Sequence, residues 1–166
     1  DGNLSLQNYL IAEEFNGILD GNGKDIKDFV NTENGKLCLS NVSNFALFKN
    51  LNNSTITNLN LGNSTSLLKI CNSFDEDQTN MLQLSLIATG VKKSIISDIV
   101  VYGCEFEISA TQSVTLSGGL RVASLVTNAE NSTIQNITIN SVSVVVRNSV
   151  NVNNNNNKGE LSYIAG

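Results

Sequence analysis

An all-β chain, wound as a right-handed single-stranded parallel β-helix of about four to five coils, is the fold this sequence predicts. Three observations predict it. A short unit, Ile, any residue, Asn or Asp, apolar, recurs along the chain; apolar pairs return at spacings of 39, 39 and 38 residues; and the composition favours turns and short strands. The composition is decisive against long helices, since 27 Asn and 30 Ser plus Thr stand against no Pro, Trp or His in 166 residues. Asn and Ser draw the backbone into local hydrogen bonds that compete with a helix.

The elements follow in order. Residues 1–30 read as an opening, capping coil and 46–166 as repeats of about 39 residues, the whole being one β-helix segment cut from a longer repeat protein. The unit appears as Ile26-Lys27-Asp28-Phe29, Ile56-Thr57-Asn58-Leu59, Ile96-Ser97-Asp98-Ile99 and Ile134-Gln135-Asn136-Ile137. A second apolar residue follows the last three, at Leu61, Val101 and Ile139, and a small hydroxyl residue precedes them, at Ser54, Ser94 and Ser132. The apolar pairs are Leu47-Phe48, Leu86-Ile87, Leu125-Val126 and Tyr163-Ile164.

Residues two apart in a strand share a face, so Ile56 and Asn58 are expected to point the same way. Leu59 breaks the alternation and Leu61 resumes it out of phase, the mark of a corner between short strands. Asn and Asp suit corners because they tolerate left-handed backbone. Stacked coils then place Ile26, Ile56, Ile96 and Ile134 in the core and set Asp28, Asn58, Asp98 and Asn136 one above another as a side-chain ladder. The stretches 66–82, 103–120 and 147–161 share no pattern and read as variable excursions, the last holding the Asn tract 153–157. Whether each repeat is one long coil or two shorter ones stays open.

Composition also excludes function classes. Without His the chain lacks the commonest general base and transition-metal ligand, and no Ser-His-Asp or Cys-His arrangement can form. A net charge of -5 with scattered Lys and Arg gives no footprint for nucleic acid. No apolar run is long enough to span a bilayer. Cys38, Cys71 and Cys104 lack metal-ligand spacing, and either three thiols or one bridge fits an odd count.

Candidate sites are few. Asp20-Gly21-Asn22-Gly23-Lys24-Asp25 begins like a calcium loop, but Lys24 stands at the third ligand position and Asn31 stands at the twelfth in place of Glu, so it reads as a glycine-rich tight turn and no metal site is assigned. Asp75, Glu76 and Asp77 form the densest charge cluster and, with Tyr102, are the candidate ligand contacts. No catalytic residue and no cofactor is assigned.

The string Phe15-Asn16-Gly17-Ile18-Leu19-Asp20-Gly21-Asn22-Gly23-Lys24-Asp25-Ile26 resembles the lead-in of GLUG-type repeat regions, F-x-G-x-x-D-G-N-G-x-x-I. The stretch from Ser124-Leu125-Val126 to Asn131-Ser132-Thr133-Ile134-Gln135-Asn136-Ile137 resembles the repeat itself. Such regions belong to bacterial surface proteins, including adhesins and the N-terminal part of IgA-specific metallopeptidases. The resemblance implies a pectin-lyase-like solenoid at the cell surface or outside the cell. Here Ala46, Ser85 and Ser124 stand where the family has glycines. No H-E-x-x-H helix is present, so the peptidase activity of such relatives would lie outside this segment.

The expected function is a non-catalytic structural or adhesive module whose partners are the remainder of a parent chain and a host glycan or host protein. A polysaccharide-active lyase or hydrolase domain is the alternative.

Overall fold

The computed structural model describes residues 4–6, 12–29, 36–64, 68–147 and 150–152. Within them the secondary structure is strand and turn, with no helix long and apolar enough to cross a membrane. Strand β1 (Leu4–Leu6) leads into a first coil of β2 (Ala12–Phe15), β3 (Ile18–Phe29), β4 (Lys36–Ser40) and β5 (Asn44–Phe45). The second coil holds β6 (Phe48–Asn52), β7 (Thr55–Leu61), β8 (Leu68–Phe74) and β9 (Leu82–Ser85). The third holds β10 (Ala88–Lys92), β11 (Ile95–Val101), β12 (Cys104–Ala110), β13 (Val114–Leu116) and β14 (Leu120–Ala123). A last group comprises β15 (Ala129–Glu130), β16 (Thr133–Ile139), β17 (Val142–Val146) and β18 (Val150–Val152).

Each strand pairs in parallel with its counterpart one coil away, so among the described residues the sheets are the walls of a solenoid of about three turns. One wall is β2-β6-β10-β15, the next β1-β3-β7-β11-β16, and the third β4-β8-β12-β17. Ile56 lies opposite Ile96 and Ile96 opposite Ile134, so one repeat of about 39 residues is one full coil and not two shorter ones.

The core follows from the register. Phe45, Phe48, Phe74 and Phe106 are fully buried, as are Ile26, Ile56 and Ile96. Each such side chain removed from water contributes roughly 1.5–3 kcal/mol. Ile134, expected in the core, is 40 % exposed, because it lies in the last described coil and is covered on one side by β11.

Two expectations about register change. Leu19, not Ile26, lies opposite Ile56, while Ile26 lies opposite Leu61. The cause is a bulge between Asp20 and Lys24, where Gly21-Asn22-Gly23 adds residues that β7 lacks and Asn22 and Gly23 take positive φ. Within the expected excursions 66–82 and 103–120 lie two wall strands, β8 and β12, paired over seven residues from Leu68 to Phe74. Leu68, Ile70 and Phe74 face the core, as do Cys104, Phe106 and Ile108. Of 147–161, residues 150–152 pair with β13, and the Asn tract 153–157 lies outside the described residues, as do Tyr163 and Ile164.

Candidate functional site

The corner column is the first candidate. Asn58, Asp98 and Asn136 all adopt left-handed backbone, with φ of 53°, 57° and 53°. Left-handed backbone is tolerated by Asn and Asp, whose short polar side chains bond locally. The corner adds one residue to the strand period, so Ile56 and Leu59 are both buried while Asn58 is exposed. That corrects the expectation that Ile56 and Asn58 share a face.

Asn58 Nδ2 donates to Asp20 Oδ1 at 3.0 Å, and Asn136 Nδ2 donates to Asp98 Oδ1 at 3.1 Å. Thr57 Oγ1 donates to Asp98 Oδ2 at 3.2 Å and joins the two pairs. The first member of the column is therefore Asp20; the bulge moves Asp28 further along, where its backbone lies opposite Ser5. The alternation of carboxylate and amide keeps like charges apart. The backbone N–H of Asn22 and then the Asn58 amide hold the Asp20 carboxyl below its ordinary pKa. Ser97, then Asn136, with a smaller contribution from Thr57, do the same for Asp98.

A second column runs inside the preceding turn. The backbone N–H of Ser54 donates to Ser94 Oγ at 3.0 Å, and that of Ser94 to Ser132 Oγ at 3.1 Å. Ser54 and Ser94 are buried, so these bonds satisfy polar groups that would otherwise be costly there. A third tie is covalent. Cys38 and Cys71 lie opposite each other on β4 and β8 and form a disulfide, with Cα atoms 4.6 Å apart. Cys104 is a buried thiol whose pKa is pushed far up by burial, with a smaller push from Glu105.

The acidic segment is also engaged between coils. Asn41 Nδ2 donates to Asp75 Oδ1 at 2.7 Å, and the Thr115 backbone N–H donates to Asp77 Oδ1 at 2.7 Å. The Glu76 carbonyl accepts from Gln78 Nε2 at 3.1 Å. Tyr102 is half-buried, with its backbone N–H on the Leu61 carbonyl at 2.9 Å. Asp75, Glu76 and Asp77 thus share one turn, and Tyr102 sits elsewhere, after the β11 strand. Among the described residues no group of three His, Cys, Asp or Glu side chains is arranged to hold a metal ion.

Sequence reasoning missed Asp20 as a column member and the partner of Cys38. The signal for Asp20 was its place 38 residues before Asn58, close to one repeat. Compared with known proteins, the chain matches no family model, no curated protein and no solved structure at a significant level.

Proposed function

We propose that this chain is a non-catalytic, rod-like module of a secreted or surface-anchored protein, a right-handed β-helix of the GLUG-repeat kind that presents an adhesive surface. The observation that carries the reading is the use of exterior polar side chains as ties between coils. Asn58 holds Asp20, Asn136 holds Asp98, Asn41 holds Asp75, and Asp77 accepts from the next coil. Groups held in this way stiffen the stack, which suits a spacer that bears load along its axis. The disulfide supports an oxidising compartment, since such bonds persist outside the cytosol.

The test is to expose the purified chain to neutral and acidic polysaccharides and to host glycans and proteins, recording retained ligand and released product together. Retention without product is the expected result. Product release that depends on Asp75, Glu76 or Asp77 would replace this reading with the polysaccharide-active one.

A further inference from the structure

We propose that a groove on the outside of the β2-β6-β10-β15 wall is a binding cleft for a neutral linear oligosaccharide. The proposal rests on the adhesive reading and names its ligand class. Two outward columns border the groove. Glu14, Asn50 and Gly90 lie opposite one another in one column, which Asn128 extends. Asn52, Lys92 and Glu130 form the other. Between them the backbone of Leu51, Val91 and Ala129 makes the floor, and the space measures about 350 Å³.

Gly90 creates the depth. Its neighbours in the column carry side chains, whereas a Cβ on Gly90 would lie 2.6 Å from Asn50 Oδ1, filling the gap that the Asn50 amide overhangs. That amide makes no hydrogen bond among the described residues, leaving two donors and an acceptor at the mouth of the groove. Asn128 braces the groove wall, donating to Gln83 Oε1 at 2.8 Å and to the Thr89 carbonyl at 3.2 Å and accepting from Arg121 Nη1 at 2.7 Å. Lys92 and Glu130 form an exposed pair at 3.6 Å, an interaction weak enough to be exchanged for ligand hydroxyls.

The ligand class follows from spacing and charge. Equivalent strand positions repeat at a spacing of about 4.8 Å along the axis. That is comparable with the advance per ring of an extended hexose chain, so successive rings can meet successive coils. The Asn50 amide, which both donates and accepts, matches a sugar hydroxyl, and Asn52, whose Nδ2 rests on Glu14 Oε1 at 3.5 Å, can exchange that long contact for another. Glu14 and Glu130 against Lys92 leave the groove one net negative charge, which disfavours polyuronates and other acidic glycans.

The experiment uses neutral hexose oligomers from trimer to hexamer, with oligogalacturonate as the acidic comparison, in calorimetric titrations of the whole chain. The wild type is expected to bind neutral oligomers with affinity rising with length, and to bind the acidic series more weakly. Gly90→Thr fills the groove and should weaken binding at least about tenfold. Its nearest contact is the end of the flexible Asn50 side chain, so its melting temperature should match the wild type. Asn50→Ala should weaken binding without filling space. Binding that ignores Gly90→Thr would overturn this site while leaving an adhesive surface elsewhere, and preference for the acidic series, or no binding of any oligomer, would overturn the ligand class. Retention of a host protein in the broader panel, with no oligomer bound, would sink this proposal alone.

Discussion

Replacing Cys38 and Cys71 together by serine removes the covalent tie between the first and second coils. The bond joins residues with a sequence separation of 33, and the loop-closure relation for a link of that size gives about 3.7 kcal/mol at 25 °C. In a stack of coils each turn touches only its neighbours, so the loss should fall on the first coil rather than spread through the chain. The pairing of β2 with β6, β3 with β7 and β4 with β8 remains, and Leu37 and Leu39 stay buried, so the first coil should still fold but open more often. Amide hydrogen exchange read by mass spectrometry resolves this. Protection across 12–29 and 36–45 should fall by roughly 500-fold, the equivalent of that free energy, while β11 and β12 change little. Reduction of the wild type should reproduce the pattern. A uniform loss over all coils, or a first-coil loss below about tenfold, would refute the reasoning.

Ile96→Ala should cost about 2–5 kcal/mol in denaturant unfolding, because Ile96 is wholly buried, whereas Ile134→Ala should cost less than half as much. Lys93 adopts a φ of 49° in the same turn position as Asn53 and Asn131, at 48° and 49°. Lys93→Asn should therefore stabilise by up to about 1 kcal/mol, seen as a rise in Tm. Gly21→Ala should destabilise by about 1–3 kcal/mol in the same assay, since its Cβ would meet the Asn58 carbonyl oxygen, a backbone atom, at 2.5 Å. Asp20 and Asp98 titrate below their ordinary values, so the unfolded chain binds protons first as pH falls. Their stabilisation is complete above about pH 5 and is lost as the pH drops through the lowered folded values, so a Tm profile should decline below about pH 4 and decline less steeply in Asp98→Asn.

The second, third and last coils were legible because their corners share one chemistry. Asn58, Asp98 and Asn136 must accept left-handed backbone, and that demand leaves a residue-type signature at a fixed spacing. The first coil was misregistered because its bulge adds residues between Asp20 and Lys24, which moved the apparent unit onto Ile26 and Asp28. The third wall was missed for another reason. Its strands alternate inside and outside, but Leu68-Lys69-Ile70 and Cys104-Glu105-Phe106 share a pattern of burial rather than identities. Parallel walls require only that apolar residues face inward at the same step, so a search for recurring residues passes over them.

The same wall explains why one thiol of three is unpaired. Cys38, Cys71 and Cys104 are equally spaced in sequence, 33 residues apart each time. The first interval equals one step of the wall, since Cys38 lies opposite Cys71, and both sulfurs meet on its outer side. The next step is 36 residues, from Leu68 to Cys104, and puts Glu107 opposite Cys71. Cys104 therefore falls three positions short of the cysteine column, and an odd displacement along a strand turns a side chain to the other face. It enters the core beside Leu68, where burial holds the thiol protonated and unreactive. The odd cysteine is thus a core residue placed by the length of a coil, and labelling of the unreduced, unfolded chain should find one reactive thiol, with none labelled while it stays folded.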